Sequence, residues 1–358
     1  MERIKTKKIR VGKIAIGGDA PITVQTMVKV DAHDVKAVVR QIKEQEEAGC
    51  DITRMNVLDM ESVQNFSKIK KQIKIPLVAD IHLNYLWAME AIRQGVDKLR
   101  INPGNIGGVD KVKQVVKLAK ERGVPIRIGV NAGSLEKDLL EKYKHPTAEA
   151  LVESAGRHIK ILEDLDFDQI VVSIKASDVR KMTAAYRLFS AKYDYPVHLG
   201  VTEAGPPSIG TIVSSVGIGS LLLDGIGDTI RVSLSGDSLE EIRVGKELLK
   251  SLGLRSGPRL ISCPTCSRTS YNMLALVKKV EKYLDKITAP IQVAVMGCAV
   301  NGPGEAREAD VGIAGGKKAG VLFSKGKIVK IVKEEEMFEE LVKYIEIIRV
   351  NPHQVLVK

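Results

Sequence analysis

The sequence predicts an α/β protein, with an N-terminal (β/α)8 TIM barrel followed by a smaller α+β domain. Three observations lead to this prediction. Short apolar strands alternate with helical stretches from about residue 20 to about residue 250. A Gly/Ser/Pro-rich segment follows, and the sequence after it lacks that alternation. A chain of 358 residues is also long enough for two domains with ample cores. We therefore predict a barrel domain over residues 1–252, a linker over 253–258 and a second domain over 259–358.

Eight short apolar runs are predicted to be the barrel strands. They are Ile22 to Met27, Ile52 to Val57, Leu77 to Ile81, Lys98 to Ile101, Ile126 to Val130, Ile170 to Ile174, Val197 to Val201 and Thr229 to Leu234. Amphipathic runs with helical spacing lie between them, such as Val35 to Ala48, Val109 to Glu121 and Ala148 to Leu165. Glycines at helix-to-strand junctions, for example Gly49 and Gly123, are typical helix stops. A doubly wound open sheet is the competing architecture.

The second domain is predicted to mix strands and helices. Arg259 to Ser262 and Ile291 to Met296 are expected strands, with a helix from Tyr271 to Leu284 between them. Valine- and glycine-rich segments then indicate short antiparallel strands, and a final helix has Phe338, Leu341 and Ile345 on its apolar side. The glycine-rich run 312–316 lacks nucleotide-loop spacing, so we expect a tight turn there.

Polar side chains gather at the carboxyl ends of the predicted barrel strands, where barrel enzymes have their active sites. Residues two apart on a strand point to one face. The candidates are Arg54 with Asn56, Asp80 with His82, Arg100 with Asn102, Arg127 with Asn131, Lys175, His198 with Glu203, and Arg231 with Ser233. Four arginines and a lysine at one mouth require an anion, and a diphosphate suits guanidinium forks well. For any single arginine, a structural salt bridge is the alternative.

Three cysteines form a second group of candidate site residues. Cys263 and Cys266 lie in a Cys-x-x-Cys pair, and Cys298 opens a turn-rich loop that ends at Glu305. Three thiolates leave one coordination position open, which fits an iron-sulfur cluster better than structural zinc. A zinc site, a redox dithiol and inert thiols remain alternatives. Cys50 opens a strand after a helix stop, so we expect a buried free thiol.

Composition limits the partners and the compartment. The net charge of +11 is dispersed along the chain, and only 4% of residues are aromatic, so base-stacking platforms are scarce. We interpret the charge as attraction for anionic ligands or an acidic protein partner, with dispersed solubility charge as the alternative. Four cysteines do not form a disulfide framework, which favours a reducing compartment. Without a recognisable signal peptide or a long apolar run, a cytoplasmic location is expected.

Several motifs together resemble the 4-hydroxy-3-methylbut-2-enyl diphosphate synthase family. They are CPTCSR at 263–268, MGCAVNGPGE at 296–305, HLGVTEAG at 198–205, VQTM at 24–27, ADIH at 79–82, RINPGN at 100–105 and RIGVN at 127–131. The resemblance covers nearly the whole chain. It departs at residues 28–33, where a more polar loop is expected, and leaves no room for the extra domain that some members insert.

The resemblance implies an oxidoreductase of the non-mevalonate isoprenoid pathway. Its members open and dehydrate 2-C-methyl-D-erythritol 2,4-cyclodiphosphate to 4-hydroxy-3-methylbut-2-enyl diphosphate with two electrons. The ligands of a [4Fe-4S] cluster would be Cys263, Cys266, Cys298 and an exchangeable Glu305. A carboxylate is a weaker ligand for this iron than a thiolate, so substrate oxygen could displace it.

By the same resemblance, residues at the barrel mouth would bind the substrate. The diphosphate would be held by Arg54, Arg100, Arg127, Lys175 and Ser233, with Asp80, His82, Asn102, Asn131 and His198 around the substrate. Strand geometry adds Arg231 to this set. Glu203 is our candidate for the acid that protonates the reacting centre, and its alternative role is to neutralise an arginine.

The resemblance also implies a homodimer in which the cluster domain of one subunit closes over the barrel of the other, with movement about the linker. A flavodoxin or ferredoxin is the expected electron donor. The main enzyme alternative is another barrel-based radical or reductive cluster enzyme acting on a phosphorylated substrate. The non-enzyme alternative is a zinc-stapled nucleic-acid-binding protein, suggested by the basic pI and the Cys-x-x-Cys pair.

Overall fold

The computed structural model describes residues 2–298, 304, 306–316 and 319–351. The chain forms two compact units that divide between Leu254 and Arg255. The predicted fold class is confirmed, because the first unit is a parallel barrel wrapped by helices and the second contains a separate sheet. The limits given above for the two domains and the linker stay predictions. No helix among the described residues is both long and apolar enough to cross a membrane.

The barrel unit begins with an antiparallel hairpin that the sequence analysis did not identify. Strands β1 (Ile9–Val11) and β2 (Ile14–Ile16) pair with each other and not with the barrel. Val11 and Ile16 pack against Ile52 and Val78, which lie at or near the amino ends of two barrel strands. This apolar contact covers the end of the barrel opposite the predicted active site.

Eight parallel strands form the barrel, as predicted. They are β3 (Thr23–Met27), β4 (Ile52–Asn56), β5 (Leu77–Asp80), β6 (Lys98–Ile101), β7 (Ile126–Asn131), β8 (Ile170–Lys175), β9 (His198–Leu199) and β10 (Thr229–Ile230). Their order is β8-β7-β6-β5-β4-β3-β10-β9, and a parallel bridge between Val172 and Val197 closes the ring. The last two strands are shorter than predicted, because their backbone pairing ends where the polar residues of the mouth begin.

Helices follow the strands, and their ends carry the local signals that the sequence indicates. The helices are α1 (Val35–Glu47), α2 (Met60–Gln64), α3 (Phe66–Lys70), α4 (Tyr85–Arg93), α5 (Val109–Arg122), α6 (Lys137–Tyr143), α7 (Ala148–Glu163), α8 (Val179–Ser190), α9 (Pro207–Leu223) and α10 (Ser238–Ser251). The Asp34 side chain accepts a hydrogen bond from the Ala37 N–H and caps α1. Gly123 ends α5 at a φ of 64°, a left-handed conformation that favours glycine.

Most of the apolar core of this unit lies between the strands and the helices, whereas the smaller cluster of Ile52 and Val78 with the hairpin fills the amino end of the barrel. Leu99, Ile101 and Ile128 are fully buried between the strands and the helices. The residues that alternate with them, such as Arg100 and Arg127, therefore point inward. TIM barrels usually fill this interior with branched apolar side chains. Here charged side chains occupy the part of the interior toward the carboxyl ends of the strands.

In the described part of the second unit, a five-stranded sheet packs with two helices. Its strands are β11 (Arg259–Ser262), β12 (Gln292–Met296), β13 (Val311–Gly315), β14 (Ala319–Ser324) and β15 (Lys327–Lys333), in that order across the sheet. The helices are α11 (Met273–Leu284) and α12 (Met337–Val350). The expected turn at 312–316 is wrong, because most of that run lies in β13. Its glycines permit close packing, since a Cβ on Gly312 would lie 2.4 Å from the Phe323 ring.

Candidate functional site

Asp80 is the centre of a charged network at the carboxyl ends of β4, β5 and β6. Its Oδ1 accepts a hydrogen bond from Arg100 Nη1 at 3.0 Å, and its Oδ2 lies 3.3 Å from Arg54 Nε. His82 Nε2 lies 3.6 Å from the same Oδ2. Burial alone would raise the pKa of Asp80, but Arg54, His82 and Arg100 outweigh it and hold that pKa well below its usual range. One carboxylate is thus shared by two nearly buried guanidinium groups.

A glycine on β7 leaves space for the Arg100 side chain. A Cβ on Gly129 would lie 2.5 Å from Arg100 Nε, so only glycine leaves room for this guanidinium. Asn131, with its amide oxygen turned toward the arginine, accepts a hydrogen bond from Arg100 Nη2 at 3.1 Å. The structure therefore brings together Arg54, Asp80, His82, Arg100 and Asn131, as the sequence predicted.

Arg127, Lys175 and His198 lie inside the barrel beside this network. Arg127 and His198 are completely buried, and Lys175 is 8% exposed. Among the described residues, no hydrogen-bond partner reaches any of the three guanidinium nitrogens of Arg127 or His198 Nε2. Burial, followed by the neighbouring cations, lowers the pKa of each of these three groups well below its ordinary value. The interior is therefore short of negative charge, which an anionic ligand would supply.

Arg231 forms a salt bridge with a carboxylate that lies on a helix and not on a barrel strand. Its Nη2 lies 3.1 Å from Glu241 Oε1, and Glu241 is 1% exposed. Glu241 also lies 3.1 Å from Lys29 Nζ and accepts a 2.7 Å hydrogen bond from Thr26 Oγ1. Arg231 thus has its own buried counter-charge, unlike Arg127.

The remaining predicted site residues are placed around the mouth with fewer contacts. Asn102 is nearly buried, and its Oδ1 accepts a hydrogen bond from the Gly104 N–H at 3.1 Å. Ser233 is half-buried three residues after β10. Glu203 is exposed in the loop after β9, with a left-handed φ of 55°. Such a conformation is unusual for glutamate and concentrates at functional sites.

Sequence reasoning missed three residues of this region. Lys98 and Gln25 are inward-facing and buried, and strand alternation with Arg100 and Met27 would have found both. Glu241 lies on α10, where nothing in the sequence distinguishes it from other helix glutamates.

The atypical loop 28–33 ends in a charged contact between two mouth loops. His33 Nδ1 lies 2.8 Å from Asp31 Oδ1, and His33 Nε2 lies 2.9 Å from Asp59 Oδ2. The Asp59 carboxylate, then that of Asp31, raises the pKa of His33 to about 8. Because Asp59 caps α2, this histidine ties the loop after β3 to the loop after β4.

The cysteines of the second unit follow two neighbouring parallel strands. Ser262 pairs with Val295, so β11 and β12 deliver Cys263 and Cys298 to the same edge of the sheet. The Gly297 N–H donates to Cys263 Sγ at 3.1 Å. Cys266 is exposed, and the backbone N–H of Arg268 leads the interactions that lower the pKa of its thiol. These interactions favour the thiolate form of Cys266.

The fourth predicted ligand, Glu305, lies outside the described residues. Within the part of the chain that is described, no three His, Cys, Asp or Glu side chains are close enough together to hold a metal ion. The donor set nevertheless fits a thiolate-bound group, because its three cysteines are free thiols and a backbone amide already donates to one sulfur. Cys50, by contrast, is buried in the barrel unit, as predicted.

Each of the two units matches a domain of the same family of known proteins. Residues 6–246 match the GcpE TIM-barrel domain, and residues 259–347 match the GcpE protein C-terminal domain. Proteins named 4-hydroxy-3-methylbut-2-en-1-yl diphosphate synthase (flavodoxin) are 57% identical in Clostridium acetobutylicum and in Clostridium perfringens. Both alignments cover 97% of this chain, with 99% and 100% of the respective relatives. The relative of that name from Thermodesulfovibrio yellowstonii is also 57% identical, over 96% of this chain and 99% of its own. The chain therefore belongs to the GcpE family of 4-hydroxy-3-methylbut-2-en-1-yl diphosphate synthases.

Proposed function

We propose that this enzyme reductively opens 2-C-methyl-D-erythritol 2,4-cyclodiphosphate and dehydrates it to 4-hydroxy-3-methylbut-2-enyl diphosphate. The reaction takes up two electrons and releases water. The observation that carries the proposal is the cationic barrel interior, in which Arg54 and Arg100 share one carboxylate while Arg127 has none among the described residues. A diphosphate offers oxygens for several guanidinium forks at once and supplies the missing negative charge.

In this proposal, the residues of the mouth have distinct roles. Arg54, Arg100, Arg127, Lys175 and Ser233 bind the diphosphate. Five further residues surround the rest of the substrate: Asp80, His82, Asn102, Asn131 and His198. Arg231 contributes through its Glu241 pair, so its part is mainly to shape the wall. Because the mouth cations are held by buried strands, they are oriented before the ligand arrives, which lowers the entropic cost of binding.

Cys263, Cys266, Cys298 and Glu305 would hold a [4Fe-4S] cluster in the second unit. When bound, the cluster supplies electrons and a Lewis-acidic iron. The chain's own contribution is the orientation of the thiolates, through strands β11 and β12 and the Gly297 amide that donates to Cys263. Structural zinc would leave the choice of a carboxylate as fourth ligand unexplained.

Glu203 is the proposed proton donor. Its side chain is exposed and its backbone is held in a left-handed turn within the loop between β9 and α9. An exposed carboxyl group at this rim can exchange protons with solvent and still reach a ligand in the mouth. Its position on a loop also allows it to move as substrate enters.

The proposal includes a flavodoxin as electron donor, as in the names of the relatives, with a ferredoxin as alternative. It also includes a homodimer located in the cytoplasm. An exposed apolar stripe on α9 supports self-association, because Ile209, Ile212, Val216 and Leu223 are each more than half exposed. Their spacing of three, four and seven residues places them on one helix face.

The test is anaerobic analysis of iron, sulfide and zinc, followed by an assay of the cyclodiphosphate with reduced flavodoxin. About four iron and four sulfide per chain, with an oxygen-sensitive brown chromophore, is the expected result. Arg54→Met should abolish turnover while retaining the chromophore, whereas the exposed Arg40→Met should behave like the parent. One zinc and no chromophore after reconstitution would instead favour the nucleic-acid-binding alternative.

A further inference from the structure

A second polar layer lies beneath the mouth, inside the barrel. It contains Gln25, Lys98 and His198, of which Gln25 is 1% exposed and the others 0%, and the equally buried Arg127 lies above it, in register with Arg100. Strand register sets Lys98 opposite Val78, two residues below the level at which Arg100 faces Asp80. Among the described residues, Lys98 Nζ, both side-chain polar atoms of Gln25 and the Arg127 guanidinium have no hydrogen-bond partner. The Lys98 amine is therefore buried below the mouth and has no contact with solvent.

The charges that face Lys98 are mostly positive. Arg127 faces it from β7 and Arg54 from β4, while His198 approaches from β9. Among the described residues, Asp97 is the carboxylate that favours its ammonium form, and Asp97 already accepts hydrogen bonds from Lys70 Nζ and the Leu77 N–H. The other nearby carboxylate, Asp80, is engaged above by Arg54 and Arg100.

These surroundings make a permanent ammonium group unfavourable in the empty barrel. An isolated buried cation loses its hydration, and desolvation disfavours the charged form. Burial, then Arg127 and Arg54, lower the pKa of Lys98 well below its ordinary value. An anion in the mouth would reverse part of this effect, because it offsets the field of the two arginines.

We propose that Lys98 is a positioning residue that is an uncharged amine in the ligand-free barrel and takes up a proton when a diphosphate occupies the mouth. This inference rests on the proposed function, since it needs the cyclic diphosphate as ligand. The ligand itself does not bind protons near neutral pH, because each of its phosphorus atoms carries a single, strongly acidic oxygen. Proton uptake on binding must therefore occur on the protein.

The change in the charge of Lys98 would favour both the ligand-free and the ligand-bound state of the barrel. Without ligand, the neutral amine avoids one more repulsive charge in a crowded cationic interior. With ligand, the new ammonium group adds attraction for the diphosphate from below. A doubly charged ligand would offset more of the arginine field than a singly charged one and would therefore favour the ammonium form of Lys98 more strongly.

The test is calorimetric titration of the anaerobic, cluster-loaded protein with the cyclodiphosphate, without an electron donor so that no turnover occurs. Titrations near pH 8 in buffers of different ionisation enthalpy give the number of protons taken up. The parent should take up protons, and Lys98→Met should take up fewer, by as much as one. The affinity of Lys98→Met for the cyclodiphosphate should accordingly change less with pH than that of the parent, by up to a factor of ten per pH unit.

Gln25→Met is the matched control, because Gln25 lies in the same layer but cannot titrate. It should leave proton uptake unchanged. Lys175 and His198 also lie in the cationic interior and have lowered pKa values, so the difference in proton uptake between the parent and the variant is the quantity that decides. Lys98→Gln, neutral at every pH, repeats the test with a polar head in case the methionine alters packing.

Equal proton uptake by the parent and both Lys98 variants would overturn the inference while leaving the proposed function intact. Absence of cyclodiphosphate binding by the parent would overturn the proposed function, and this inference with it. The two failures are therefore distinguishable in one set of titrations.

Discussion

Replacement of Arg127 by methionine should stabilise the ligand-free enzyme while weakening its binding of substrate. The guanidinium is completely buried and all three of its nitrogens lack partners among the described residues. Methionine fills a similar volume without a charge. Apolar replacement of buried ionic groups stabilises proteins by about 1–4 kcal/mol. In a unit of this size, that corresponds to a rise in melting temperature of roughly 2–15 °C.

The same change removes a cation that the bound diphosphate would contact. Loss of one partner from a buried charged contact costs about 2–5 kcal/mol in binding, or roughly 30- to 5,000-fold in affinity. Scanning calorimetry of the barrel transition and titration with the cyclodiphosphate would measure the two effects on one sample. Arg122→Met is the control, because Arg122 is exposed at the end of α5 and should change either quantity little.

Both expectations would be wrong if Arg127→Met melted several degrees below the parent and bound the cyclodiphosphate as tightly as the parent does. That result would mean that internal water already satisfies the guanidinium and that Arg127 is structural. A variant that is both less stable and unable to bind would point to collapse of the mouth, which the near-ultraviolet circular dichroism of the protein would reveal.

Three further predictions address other charged groups and the cysteines. Asp80→Asn should destabilise the ligand-free protein by about 3–5 kcal/mol in denaturant unfolding, because two buried guanidinium groups lose their shared carboxylate; an unchanged midpoint would show that solvent reaches the mouth. The contacts of His33 should stabilise the protein fully below about pH 6.5 and be lost as the pH rises through about 8. His33→Asn should remove this dependence from melting curves, and a persistent slope would assign it to another group. Cys266→Ser should lose the iron chromophore without changing the melting of the barrel unit, whereas Cys50→Ala should retain the chromophore.

The fold was predictable because its signal repeats. Each barrel strand is a short apolar run followed by a helix with a recognisable cap or glycine stop, so an error at one boundary does not alter the architecture. The hairpin of β1 and β2 escaped notice because each strand has only three residues, too few to show a period. The 312–316 run was misinterpreted for another reason: glycine usually indicates a turn, but Gly312 lies where Phe323 packs onto the strand.

The site was predictable to the extent that its residues end strands. Arg54, Asp80 and Arg100 could be placed on one mouth from alternation alone, and their contacts agree with that placement. The sequence could not show which arginine has a carboxylate of its own. Glu241 reaches Arg231 from a helix ten residues later, and only tertiary structure brings the two together.

Residues that stabilise the fold and residues of the proposed ligand site lie on opposite faces of the same strands. The outward residues Leu99, Ile101 and Ile128 are fully buried against helices, and burial of such apolar surface favours folding by about 25 cal/mol per Å². The inward residues that alternate with them include Arg100 and Arg127, whose desolvation opposes folding. A barrel with this inner face can fold only because its outer layer and the hairpin beneath provide the apolar core. The deficit of negative charge inside is therefore a cost of folding that the proposed diphosphate ligand would relieve, and binding of that ligand would in turn stabilise the folded barrel.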